Sequence, residues 1–137
     1  MASGKSQVQI SKLLNAQFNA AAYSSPATLY MALWTATLTA ASTGSTAGEA
    51  SYTGYVRVAV TAGTAAFPTS SAGAAIQNAS AITFAANAGL LNTVTFFAIC
   101  DASTAGNIIY WGSVTSTAVN PGDTPQVAIN GLTASEA

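Results

Sequence analysis

The sequence predicts a mainly β protein: an antiparallel β-sandwich or small barrel of six to seven short strands, preceded by one N-terminal helix. Three observations predict this. Apolar residues recur at helical spacing only ahead of Pro26. Beyond it the period drops to two, in short runs of Val, Ile, Phe, Tyr and Trp. Those runs are separated by Gly-, Ser-, Asn- and Pro-rich spacers with no strand–helix alternation, which argues against a parallel sheet. At 137 residues one globular unit is expected, divided into an N-terminal helical arm over 1–25 and a β-sandwich domain over 26–137.

The first 22 residues read as the helix. Ile10, Leu13, Leu14, Phe18 and Ala21 form one apolar stripe, and Ser6 followed by Gln9 resembles a capping box. Tyr23-Ser24-Ser25-Pro26 ends it, because the residue before a proline avoids helical angles. The stripe packs either on its own domain or on a neighbouring subunit. In the second case Ile10, Leu14 and Phe18 are the contact residues.

Thr28 to Thr35 reads as a strand buried on both sides, with Leu29, Met31 and Leu33 facing one way and Tyr30, Ala32 and Trp34 the other. Residues 36–54 form a long small-residue connection, the best candidate for a partner-facing loop. In Tyr55 to Val60 the alternation places Val56, Val58 and Val60 inward, and Tyr55 and Arg57 outward. After a second small-residue stretch over 61–80, Ala81 to Ala85 reads as a short strand with Ile82 and Phe84 on one face. Val94 to Cys100 is apolar at nearly every position and reads as a central strand. A turn over Asp101 to Asn107, with Gly106-Asn107 supplying left-handed angles, joins it to Ile108–Val114 as a hairpin. Asn120-Pro121-Gly122-Asp123 is a strong turn signal, and Val127 to Leu132 is expected as the last strand.

Composition narrows the function. Ala 31, Thr 18 and Ser 15 together fill 64 positions, while charged residues make up 5%. An ordinary soluble protein carries roughly 25%. The positive mean hydropathy of +0.41, with its apolar clusters, points to a folded chain and not a disordered one. Only Lys5, Lys12 and Arg57 are basic, so there is no footprint for nucleic acid. No histidine is present and Cys100 is the single thiol, which excludes histidine acid–base chemistry, the common zinc sites and an intrachain disulfide. No cofactor or metal site is expected. No apolar run approaches the roughly 18 residues that span a bilayer, so no membrane association is expected. The start MASGKSQVQ lacks an apolar core, so no secretory signal is expected.

Little in the chain carries chemistry. The carboxylates Glu49, Asp101, Asp123 and Glu136 fall in loops or at the tail, where Asp101 and Asp123 suit turn formation better than acid–base work. Cys100 ends an apolar strand and reads as a small buried hydrophobe. No nucleophile elbow or phosphate loop occurs, and the sequon Asn78-Ala79-Ser80 reads as chance. Tyr52 and Tyr55, flanking Gly54, are the aromatics expected at the surface, as partner contacts or, with Trp111, as a sugar-stacking platform. No enzyme is expected. A surface of Ala, Thr and Ser loses little side-chain entropy when immobilised, which suits a permanent assembly.

Over residues 8–132 the sequence resembles the small structural proteins of tailed bacteriophages commonly labelled tail fibre proteins. The resemblance is carried by PATLYMALWTA, YTGYVRVAV, SAITFAA and, most strongly, TVTFFAICDASTAGNIIYWGSVTSTAVNPGDTPQVAINGLT. Asp101, Gly106-Asn107 and Gly122-Asp123 match the family's turn positions, and Gly112 its strand ending near glycine. Ala98-Ile99-Cys100 stands where members often carry Gly-Leu-Phe, and Leu90-Leu91-Asn92 where they commonly carry a tryptophan. The resemblance implies a virion component assembled in the bacterial host cytoplasm. Among virion roles, a capsid decoration (cement) protein on the major capsid protein shell is expected first. A tail or tail-fibre-associated protein comes second and a carbohydrate- or receptor-binding module third. The expected partners are the major capsid protein or other virion proteins, and further copies of the chain in a homo-oligomer.

Overall fold

Two-sided burial of the central strands governs the architecture. The computed structural model describes residues 3–68 and 75–135. A short strand β1 (Ser3–Lys5) leads into helix α1 (Gln7–Phe18), followed by β2 (Thr28–Trp34), β3 (Val58–Thr61), β4 (Ala75–Gln77) and β5 (Ile82–Thr83). The long hairpin β6 (Asn92–Cys100) and β7 (Ile108–Val119) comes next, and β8 (Gln126–Val127) and β9 (Thr133–Ser135) close the chain. Five strands form one antiparallel sheet in the order β1-β7-β6-β2-β3.

Register decides which side chains share a face. Met31 pairs with Ile99 and Leu33 with Phe97, while Ala32 pairs with Ala98 and Trp34 with Phe96. Directly opposed residues point the same way, so the sheet has two apolar faces. The first joins Met31, Leu33, Phe97 and Ile99 to Tyr52, Ile82, Phe84 and Val119. The second joins Ala32, Trp34, Phe96, Ala98 and Cys100 to Leu38 and Ile108. The double-sided burial expected of the strand after Pro26 is therefore present.

The expected sandwich or barrel is only partly met. Among the described residues the fold is mainly β with one N-terminal helix, but β4-β9 and β5-β8 are separate two-stranded sheets, and no sheet closes into a barrel. Their strands run two or three residues. Segments this short, each paired with a strand distant in the chain, cover one face as patches instead of building a second full sheet.

Other expectations also change. Nine strands stand among the described residues where six or seven were expected. Of the last one, expected over Val127 to Leu132, only Val127 is strand, in β8; the chain then turns, with Asn130 in the left-handed region at φ 59°, before β9 begins at Thr133. The helix begins at Gln7, because Ser3–Lys5 pairs with β7. It ends at Phe18, where Asn19 caps it and Ala20 turns left-handed at φ 50°. Ser6 Oγ accepts from the Gln9 N–H at 3.2 Å. Only this half of the capping box forms, since the Gln9 amide donates to Tyr23 Oη at 2.9 Å and the Ser6 N–H donates to the Ile109 carbonyl at 3.1 Å. In the β6–β7 turn the left-handed residues are Ala105 and Gly106, not Gly106 and Asn107.

Candidate functional site

The most organised polar cluster centres on Arg57. The alternation that sends Val58 and Val60 toward the first apolar face sends Arg57 to the opposite one, and that face is covered too. Its side chain is 1% exposed, which corrects the outward placement expected for it. Val56, expected inward, is 64% exposed, beyond the stretch from Val58 to Val60 that packs on the first core.

Burial of a guanidinium is tolerable only when every donor is used. Nε donates to Glu49 Oε1 at 2.7 Å and Nη2 to Glu49 Oε2 at 2.8 Å, a two-pronged pair. Nη1 donates to the Ala102 and Ala105 carbonyls at 2.8 and 2.9 Å, and Nη2 to the Gly44 carbonyl at 2.8 Å. Cζ also lies 5.6 Å from the centroid of the Trp34 ring. One side chain thus fastens the 36–54 connection and the β6–β7 turn to the sheet. The two segments meet at Gly44, where an added Cβ would lie 1.8 Å from the Ala105 carbonyl oxygen.

Tyr55 completes the cluster. Its hydroxyl donates to Glu49 Oε1 at 3.0 Å and accepts from the Leu33 N–H at 3.0 Å. Burial above all pushes the Tyr55 phenol up from its ordinary range, and the Glu49 carboxylate adds to the shift. Hydrogen bonding to Glu49 is likewise the main reason that Arg57 is raised. The cluster is saturated, with no donor left over on Arg57 to meet a ligand.

Two buried asparagines do similar work on the other loops, and nothing in the sequence marked them. Asn87 Nδ2 donates to the Leu90 and Val119 carbonyls, and its Oδ1 accepts from the Gly89 N–H. Asn78 Nδ2 donates to Ser80 and Ala128, and its Oδ1 accepts from the Leu132 N–H. Both N–H groups of Asn78 are spent inside the fold, so its sequon offers no acceptor for a glycan.

The remaining candidates resolve without chemistry. Asp101 accepts from the Asn107 backbone and side chain at 2.7 and 2.8 Å. Asp123 accepts from Asn120 in the same way at 2.8 and 3.1 Å. Both are turn-formers, as expected. Glu136 lies outside the described residues. Burial pushes the Cys100 thiol up to about 11, which keeps it protonated and inert at neutral pH. Among the described residues no group of Cys, Asp or Glu could hold a metal ion, and no helix is long and apolar enough to cross a membrane.

The five expected contact residues divide. Tyr52 is 2% exposed and its hydroxyl donates to the Ala85 carbonyl, while Tyr55 packs edge-on to Tyr52 and stacks on Phe84. The exposure expected at Tyr52 is corrected, because its ring fills the gap between the sheet and its covering loops, while Tyr55 is half-buried beside it. With Tyr52 buried, that ring is not open to stack on a sugar. On α1 the stripe faces outward: Ile10 is 39%, Leu14 48% and Phe18 80% exposed. The buried helix positions are Ser6 at the cap and Gln9 in the first turn.

Compared with known proteins, residues 4–135 match the family model described as "Podophage GP4 fiber I protein gp80". No curated protein matches the chain.

Proposed function

Because the chain belongs to the podophage fiber I family, it is a non-enzymatic structural protein of a tailed-phage virion, and we propose that it serves in the fibre and not as capsid cement. The match over residues 4–135 carries this reading. The family description names a fibre protein, which favours the tail or fibre role over the capsid decoration expected first. The chemistry agrees with a structural part: charged groups are scarce, the buried ones are fully engaged, and the loops are tied down by Arg57, Asn78 and Asn87.

The face that meets other virion proteins is α1. Ile10, Leu14 and Phe18 present large apolar groups to solvent on one side of the helix, whose packing on the domain is against β7. Exposed apolar patches of this kind mark association surfaces. Leu14→Asp is expected to leave the fold intact, since Leu14 contributes little to the core, yet to abolish incorporation into particles. Immunogold labelling of purified virions, with stoichiometry from a quantitative gel, tests the location. A low copy number with label at the tail supports the fibre role. Label spread over the head, at hundreds of copies, would replace it with the cement role.

A further inference from the structure

The chain has eight asparagines, and Asn130 is the only one followed by glycine. The side chains of the other seven are all engaged in hydrogen bonds. Among the described residues the Asn130 side chain meets no such partner, and it stands exposed between β8 and β9. The turn itself imposes the dipeptide. Asn130 sits in the left-handed region at φ 59°, which asparagine tolerates better than most residues. At Gly131 an added Cβ would lie 2.9 Å from the Ala128 carbonyl oxygen, too close to fit without a shift.

We infer that Asn130-Gly131 is a site of spontaneous covalent modification, at which the asparagine converts to aspartate or isoaspartate. The Gly131 amide nitrogen loses its proton to water and attacks Asn130 Cγ. The bond from Cγ to the side-chain nitrogen breaks, and that nitrogen takes up the proton and leaves as ammonia. The cyclic imide so formed adds one water at either carbonyl. One opening gives aspartate. The other gives isoaspartate, in which the main chain runs through Cγ and is one carbon longer. Gly131 suits the attack because no Cβ crowds its nitrogen.

Asn78 gates the step. In the closed turn the Gly131 N–H donates to the Ala128 carbonyl at 2.9 Å, and the Asn130 N–H to the Asn78 carbonyl at 3.0 Å. Asn78 Oδ1 accepts from the Leu132 N–H and its Nδ2 donates to the Ala128 carbonyl, both at 2.8 Å. The nitrogen is therefore free to react only when the turn opens. Flanking strands of two and three residues give few bonds to hold it shut. Isoaspartate lengthens the chain just ahead of Thr133–Ser135 and disrupts the register of that strand on Ala75–Gln77.

Intact-mass and peptide-map analysis of the purified full chain, incubated at pH 8.5 and 37 °C, tests the inference. The wild type is expected to gain about one mass unit at Asn130 before any other asparagine, with isoaspartate there labelled by an isoaspartyl methyltransferase. The gain is expected to be slower than in the same chain unfolded in guanidinium chloride. Asn130→Gly keeps the left-handed backbone accessible; it is expected to retain the circular dichroism spectrum and lose the gain. Asn78→Ala is expected to speed conversion toward the unfolded rate, and a variant no faster than the wild type would remove the gate. A folded wild type unchanged at Asn130 over many times the conversion time of the unfolded chain, or one that converts first at another asparagine, would overturn the inference.

Discussion

Arg57 shows what one residue can decide. Its alternation with Val58 and Val60 made an outward position the natural expectation, and the expectation failed because the second sheet face is covered as well. Removing it leaves Glu49 without its counter-ion and strips the Gly44, Ala102 and Ala105 carbonyls of their donor. Arg57→Ala is therefore expected to lower stability by about 3–5 kcal/mol in urea unfolding, the cost typical of breaking a buried ion pair. Lys12→Ala, on the exposed side of α1, is expected to change it by less than about 0.5 kcal/mol. Gly44→Ala tests the same junction through the backbone. Its Cβ would overlap the Ala105 oxygen, so the two loops must separate, and the urea midpoint is expected to fall well below the wild-type value. None of this was legible in the sequence, where Glu49 and Arg57 stand eight residues apart with no motif between them.

Among the elements, α1 and β7 were the most differently readable. The apolar stripe of α1 was visible from spacing, but spacing cannot say whether a stripe faces its own domain. The structure turns it outward, because β1 ties the chain to β7 just ahead of the helix and the buried face is set by Ser6 and Gln9. Ser6→Ala removes the oxygen that accepts from the Gln9 N–H. It is expected to cost about 1 kcal/mol, seen as faster amide exchange in the first turn of α1 with little change in β6. β7 runs well past the predicted Val114, to Val119. Its far half is threonine, serine and alanine, too polar to announce a strand, and pairing with Asn92 to Val94 holds it in the sheet.

At the scale of the whole molecule the scarcity of titratable groups sets the response to pH. With no histidine, stability is expected to be flat between about pH 6 and 8. Above that range the raised groups matter. Cys100, moved to about 11 by burial, and Tyr52 and Tyr55, also raised, bind their protons more tightly folded than unfolded. Their contribution is complete below the unfolded values, about 8.5 for a thiol and 10 for a phenol. It is lost as pH rises through the folded values. Urea midpoints at pH 7, 9 and 10.5 are expected to be level and then to fall, and a rise with pH would contradict the burial described. By itself the sequence determined the mainly β character, the helix ahead of Pro26, the two apolar faces of β2 and β6, and the turn roles of Asp101 and Asp123, because each is a local matter of period or turn chemistry. Only the tertiary structure decided that Arg57 and Tyr52 lie inside with Tyr55 half-buried, that the α1 stripe lies outside, and that the covering strands form separate patches instead of a second full sheet. Those outcomes depend on what happens to cover each surface, and residues far apart in the chain supply the cover.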